Sequence, residues 1–198
     1  MKDRAKHKLC RRIGSCVWGN PKCPSAKRPY PAGGSPRGRQ RKLSTYGELL
    51  QAKQKLKTFY AVSEKQLRLA YQKAKKGEGQ ANEKLFKNLE QRLDAFVYRA
   101  GLAPTIFAAK QFVNHRHVRV DGKIVDRSSY KLKPGQTVSI SAEKSPAIAE
   151  AAKNVNCEVP SYIEADRDNC KATLTREPML EEMPCDVEIM RVIEYYAR

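Results

Sequence analysis

Four residues near the N-terminus carry soft-ligand chemistry at close spacing: His7, Cys10, Cys16 and Cys23. Imidazole nitrogen and thiolate sulfur are the donors tetrahedral zinc takes, and a close pair such as His7 and Cys10 is a usual half-site. The wider Cys16–Cys23 spacing is not that of a standard knuckle. The competing reading is a set of reduced thiols in a segment that its partner orders. Both readings stay open: no metal is adopted, no cofactor is required, and zinc at these four residues is kept as an alternative. His115 and His117 form the second candidate. They alternate just after a helix, with no Cys, Asp or Glu at ligand spacing, so they read as turn and contact positions rather than catalytic or metal-binding ones. Cys157, Cys170 and Cys185 are widely spaced and read as isolated thiols.

The larger chemical signal is charge. Thirty-nine Lys and Arg oppose 21 Asp and Glu, a net charge of +18. Such a charge repels itself in a free protein, so a polyanion is the simplest partner. Residues 1–42 carry +12, residues 43–142 carry +11 and residues 143–198 carry −5. A nucleic-acid surface is therefore expected in the first two thirds, with the acidic remainder facing solvent or a basic protein neighbour. The expected contacts in the N-terminal arm are Arg11, Arg12, Arg28, Arg37, Arg39, Arg41 and Lys42. Lys53, Lys55, Lys57 and Arg68 follow in the next helices. Arg92, Arg99, Lys110, His115, Arg116, His117, Arg119, Lys123 and Arg127 complete the set. No apolar run approaches the roughly 20 residues of a membrane helix, and the basic N-terminus lacks the apolar core of a signal peptide. A cytoplasmic, reducing location is expected, where six cysteines are not a disulfide framework.

The elements that must position these groups follow from periodicity and capping. Residues 1–43 are rich in Gly, Pro, Arg and Lys with almost no helical period, and read as an irregular basic arm. Residues 44–91 read as a helical domain. Ser44 or Thr45 opens a helix to about Phe59, and the Ser63-Glu64-Lys65-Gln66 capping box opens another to Lys76, with Leu67, Ala70, Tyr71 and Ala74 on its inner face. A helix from near Asn82 carries Leu85, Leu89, Leu93 and Phe96 on one face and leads into a compact module over residues 92–152. Within it, Thr105 caps a helix whose apolar face is Ile106, Ala109, Phe112 and Val113. Asp121-Gly122 then turns a two-residue hairpin, because both central residues of that turn need positive φ. The hairpin should pair Val120 with Lys123 and Val118 with Val125, leaving Arg119 and Ile124 on the other face. A Pro134-Gly135 turn follows, and Pro146 to Val155 reads as a helix. Residues 153–198 read as an acidic segment of short extended pieces, with Val187 to Tyr196 as a final strand packed on the body. The class is α+β.

This helix-helix-hairpin, with RLD-x-x-VYR leading in and V-x-H-x-H-V-x-V-x-G following, resembles the RNA-binding module of the bacterial small-subunit ribosomal protein S-four family. RPYPAG at Arg28 to Gly33, LSTYG at Leu43 to Gly47, KQKLKTFYAVSEKQLR at Lys53 to Arg68 and VIEYYAR at Val192 to Arg198 extend the resemblance over nearly the whole chain. The resemblance implies a structural rRNA-binding protein that nucleates assembly of the 5′ domain of small-subunit rRNA, using shape and splayed nucleotides for specificity. It also implies contact with ribosomal protein S-five, an influence on decoding accuracy, and basic side chains at the messenger RNA entry channel, where Arg39 and Lys42 match best. Some members of the family carry two Cys pairs in the arm; here His7 stands at the first position. Members commonly have Gly between the two histidines, where this chain has Arg116, and the arm reads Ala32-Gly33-Gly34-Ser35-Pro36 in place of the usual Pro-Gly-Gln-His-Gly.

An RNA-modifying enzyme sharing the module is the main rival, and it would need a separate catalytic domain. Only 56 residues follow Ala142, and they hold no P-loop, Gly-rich phosphate turn or clustered His/Asp/Ser set. No enzymatic activity is expected. A stress-type RNA chaperone would explain the charge but not the RPYPAG and LSTYG segments.

Overall fold

The computed structural model describes residues 7–20, 22–35, 42–76, 79–140, 146–153, 155, 158–184 and 187–197. The chain forms two compact units: residues 1–71 with 184–198, and residues 72–183. The acidic segment is split, its first part folding with the module and its end with the N-terminal residues.

In the first unit, α1 (Lys8–Ile13) and α2 (Pro24–Lys27) lie in the expected irregular arm, which thus holds local structure. The reason lies in its caps and its small buried side chains. Gly14 ends α1 in the left-handed region (φ 85°), and its N–H returns to the Cys10 carbonyl at 2.9 Å. Cys10, Val17 and Cys23 are buried beneath, and the Trp18 indole donates to the Phe59 carbonyl at 3.3 Å. Helix α3 (Thr45–Phe59) starts at Ser44, whose hydroxyl accepts from the Gly47 N–H. Helix α4 (Glu64–Lys76) starts with the reciprocal Ser63–Gln66 capping box, as expected.

The closing segment is not a strand. It forms α9 (Ile189–Ala197), which packs on α3 and buries Ile189 and Val192. A two-residue alternation would have put Arg191 on one face with Ile189, and Glu194 on the other with Val192. The helical period gathers Ile189, Val192 and Tyr196 on one side and leaves Met190, Arg191 and Glu194 exposed. Glu64 pins this helix. It accepts from the Tyr196 hydroxyl at 2.8 Å and pairs with Lys53 and Lys57 at 3.1 and 3.0 Å. The buried Lys53 ammonium also lies 4.2 Å from the centre of the Tyr195 ring, and Tyr196 stacks on Tyr71.

In the second unit, the single long helix expected from Leu85 to Phe96 is two helices, α5 (Ala81–Glu90) and α6 (Leu93–Arg99). The four leucine and phenylalanine positions are all buried as expected. The break serves backbone pairing. Arg92 is extended and bridges Lys131, the Leu132 N–H donates to the Gln91 carbonyl at 2.8 Å, and the Leu93 N–H donates to the Tyr130 carbonyl at 2.8 Å. Helix α7 (Ile106–Asn114) starts where Thr105 accepts from the Ala108 N–H.

The hairpin of β1 (Val118–Val120) and β2 (Lys123–Ile124) has the expected register, Val120 opposite Lys123 and Arg119 opposite Ile124. Asp121 and Gly122 both have positive φ. Three further strands, β3 (Thr137–Ile140), β4 (Ile163–Asp166) and β5 (Lys171–Leu174), complete one antiparallel sheet of order β2-β1-β3-β5-β4. Helix α8 (Pro146–Lys153) lies between β3 and β4 in sequence, and a 3-10 turn spans Leu180–Glu182. Val118, Val120, Val138, Ile140, Ala172 and Leu174 face a core shared with Leu93, Phe96, Ala109 and Val113.

Burial alone would raise the Glu64 carboxyl, but the bonds from Tyr196, Lys57 and Lys53 outweigh it and hold its pKa at about 2. A carboxyl lowered by folding stabilises above its unfolded pKa and loses that contribution as pH falls through the folded one. The Glu64 contribution therefore vanishes between about pH 4.5 and pH 2. Glu64→Gln is expected to lower stability at pH 7 and flatten the acid limb in that window. Urea titrations at several pH values check this, and parallel acid limbs for both proteins would contradict it.

Candidate nucleic-acid interface

The sequence-predicted cations sort into two groups once folded. Lys53 is buried and committed to Glu64, so it is a structural cation rather than an exposed contact. Arg92 is buried too, gripping Asp94 through two bonds of 2.9 and 2.6 Å. Asp94 also faces Lys110 at 3.9 Å and accepts from the Ala95 N–H. Desolvation lowers the Lys110 pKa, with Asp94 opposing and Arg92 reinforcing that shift. Arg99 lies 3.4 Å from Glu90, a fully enclosed carboxylate that also accepts from the Tyr162 hydroxyl at 3.2 Å. Arg92, Arg99 and Lys110 thus serve the frame of the module, and Lys53 that of the first unit.

The second group lies open. His115, Arg116, Lys123 and Arg127 are exposed, with His117 and Arg119 half-buried beside them. The end of α7, the hairpin and the loop after it carry all six. The hairpin presents its cations rigidly because Asp121 accepts from the Thr137 N–H at 2.9 Å and from Gln136 at 2.7 Å. Arg12, Arg28, Lys42 and Arg68 are also exposed, and Lys55 and Lys57 are half-buried on α3. Arg11 is half-buried and ties its guanidinium to the Tyr30 and Pro31 carbonyls. Arg37, Arg39 and Arg41 lie outside the described residues, as do Cys157 and Cys185; Cys170 is buried.

Arg116 occupies the left-handed position expected for Gly, at φ 64°. Its N–H returns to the Val113 carbonyl and the His117 N–H to the Phe112 carbonyl, both at 3.0 Å, which is the two-bond Schellman closure of α7. Its guanidinium pairs with Asp126 at 3.1 Å across an exposed surface. The side chain thus lies with the other open cations at the cost of backbone strain.

Sequence reasoning missed Lys131, Lys73 and Lys84. Lys131 stays exposed, yet the protein around its ammonium lowers its pKa and Lys73 acts in the same direction; it donates to Asn88. The Lys84 ammonium is buried with no hydrogen-bond partner among the described residues. No local motif marks these three, and Lys73 on α4 and Lys131 in the loop after β2 influence one another only in the fold.

Three of the candidate ligand residues also converge. His7, Cys10 and Cys23 offer donor atoms within 4.8 Å of one another, with the His7 Nδ1 and the Cys23 Sγ 3.2 Å apart. Cys16 hydrogen-bonds Cys23. The Val17 N–H points at the Cys10 sulfur (3.5 Å) and the Asn20 N–H at the Cys16 sulfur (3.3 Å). Burial pushes the Cys10 thiol up to about 11. Burial would also raise Cys23, but bonds from Ser25 and the other thiols bring it below the ordinary value. Backbone N–H groups aimed at sulfur suit thiolate, the form that binds zinc. His115 and His117, with ring centres 6.1 Å apart, belong to no such cluster among the described residues.

A helix pair and hairpin with a cationic rim, on a frame whose Asp94 and Glu90 are turned inward, define an RNA-binding module of the ribosomal type. The family model described as "S4 domain" matches residues 91–138, and that described as "Ribosomal protein S4/S9 N-terminal domain" matches residues 2–90. "Small ribosomal subunit protein uS4" of Bartonella henselae is 44% identical over 203 residues, spanning 100% of this chain and 98% of that protein. The proteins of the same description from Brucella abortus and Mesorhizobium japonicum are 45% and 46% identical over the same span. The chain belongs to the small ribosomal subunit protein uS4 family.

Removing the Arg92 guanidinium would leave Asp94 buried with only a distant Lys110. Arg92→Ala is expected to destabilise the protein by about 3–5 kcal/mol in denaturant titrations; a loss below about 1 kcal/mol would place that ion pair outside the frame. Arg116→Gly relieves the left-handed strain, worth about 1 kcal/mol, against an exposed ion pair worth about 0–1 kcal/mol. It should stabilise the free protein while weakening RNA binding, and unchanged affinity would remove Arg116 from the interface.

Proposed function

We propose that this protein is a structural constituent of the small ribosomal subunit that binds rRNA directly and nucleates folding of the rRNA 5′ domain. One observation carries this reading: the module keeps Arg92, Arg99 and Lys110 against internal carboxylates while His115, Arg116, Lys123 and Arg127 are exposed at the end of α7, on the hairpin and in the loop after it, Arg116 beside the surface carboxylate Asp126. Phosphate contacts from such cations give affinity that falls steeply with salt. A rigid rim reads the shape of an A-form helix or a splayed strand, since side chains cannot read the deep major groove of RNA. The role is structural rather than catalytic. The reading extends to the messenger RNA entry region, where the resemblance puts the exposed Lys42, and to a contact with ribosomal protein S-five that influences accuracy. Chemical footprinting on naked small-subunit rRNA at two salt concentrations tests the central claim. Salt-sensitive protection at the multi-helix junction of the 5′ domain is expected. Diffuse protection would overturn it in favour of an RNA chaperone.

Within this reading the arm holds one zinc ion, with His7, Cys10 and Cys23 as ligands and Cys16 as the fourth donor. The convergence of three donor atoms and the N–H groups aimed at sulfur support it. Zinc would supply structural cross-linking, letting a short segment with a very small core hold its shape. The purified full chain should release about one zinc per molecule on thiol modification, and Cys23→Ser should release none. A metal-free protein with the same fold would remove zinc from the account.

A further inference from the structure

The N-terminal residues line a half-open hollow of about 560 Å3 that shares only Cys23 with the sulfur cluster. Four cations line it: Arg11, Lys22, Lys27 and Arg28. Its remaining lining is small and weakly polar at most, from Cys23, Pro24 and Ala26. The chain has no Asp or Glu between Asp3 and Glu48, so this segment supplies no counter-charge to the four. Like charges gathered around one concavity repel each other, and an anion seated there relieves that repulsion.

The lining is also partly prearranged. Arg11 spends its Nε on the Tyr30 carbonyl at 3.1 Å and one terminal nitrogen on the Pro31 carbonyl at 3.3 Å. Its guanidinium carbon lies 5.0 Å from the centre of the Tyr30 ring. The remaining N–H groups of its fork are left for another acceptor. A hollow of this volume with cations around an apolar floor matches a ligand that is anionic at one end and flat and weakly polar at the other.

We propose that this cavity receives one splayed nucleotide of an RNA strand, its phosphate at the Lys27–Arg28 rim and its base against Cys23, Pro24 and Ala26. The assignment rests on the rRNA-binding reading above. It adds a site of single-nucleotide capture, distinct from the α7–hairpin rim, that recognises unpaired rather than helical RNA.

The test uses the full chain and a 5′-domain rRNA transcript, with ultraviolet cross-linking mapped to peptides and filter binding across a salt series. The wild-type protein should cross-link an unpaired nucleotide to the peptide spanning residues 22–28. The variant K27Q/R28Q replaces two exposed side chains, so folding is preserved. It should lose that cross-link, bind at least about tenfold more weakly, and show a salt slope shallower by about 1.4 for two single-strand phosphate contacts. The charge-matched control K75Q/K76Q, on exposed positions of α4, should keep the cross-link. Equal losses in both variants, or cross-links only elsewhere, would overturn the cavity assignment while leaving rRNA binding intact. Competition by inorganic phosphate as effective as that by a mononucleotide would reduce the site to an anion hole and overturn the nucleotide. A wild-type protein that fails to bind the transcript would overturn the rRNA reading and the cavity with it.

Discussion

The ion pair between Arg92 and Asp94 is the interaction on which the RNA-binding module depends. A buried guanidinium needs a carboxylate, and a carboxylate as enclosed as Asp94 needs a cation. Their meeting also fixes the backbone, because Arg92 is the extended residue at which α5 stops, α6 starts and the loop carrying Tyr130 and Leu132 is stitched in. The same logic recurs with Glu90 holding Arg99 and, in the other unit, Glu64 holding Lys53 and Lys57. Each such carboxylate commits one or two cations to the frame, so the cations open to phosphate are those placed elsewhere, such as Lys123 and Arg127. Structural neutralisation inside and phosphate attraction outside are thus one arrangement of charge.

That arrangement explains which parts of the protein the sequence reveals. The Ser44, Ser63 and Thr105 caps, the Asp121-Gly122 turn and the pairing of Val120 with Lys123 are set by residues a few positions apart, and each is found as expected. The break at Gln91–Arg92 is not local. Its backbone bonds go to residues some 40 positions away, so apolar spacing alone reads through it as one helix. The closing helix misleads for another reason: VIEYYA is rich in β-branched and aromatic residues that favour strands. Its partners, α3 and Glu64, reward the helical period instead.

Site residues divide along the same line. Basic composition finds a lysine or arginine but not its fate. Lys53 and Lys123 look alike in the chain, yet one sits under tyrosine rings against Glu64 and the other stands open on a hairpin. What distinguishes them is position relative to a buried carboxylate, which is a tertiary property. Arg116 is the instructive intermediate. Its sequence context marks a place where Gly would fit best, and the structure gives it the positive φ that such a place imposes.

The N-terminal segment obeys a different constraint. It has no nearby acids to neutralise its cations and too few apolar groups for a core of its own, so its order rests on caps, sulfur-centred bonds and the Trp18 anchor to Phe59. Such a segment gains most from whatever binds it. A ligand that bridges Cys10 and Cys23, or an anion that sits among Arg11, Lys22, Lys27 and Arg28, stabilises the folded form by mass action. The two share Cys23, as a metal donor on one side and as cavity floor on the other. Order created at the sulfur cluster therefore reaches the cavity through Cys23 and through Arg11, the neighbour of Cys10 on α1. A metal held by His7 and the cysteines would then reduce the entropy lost when RNA arrives, linking the two events through rigidity rather than through direct contact.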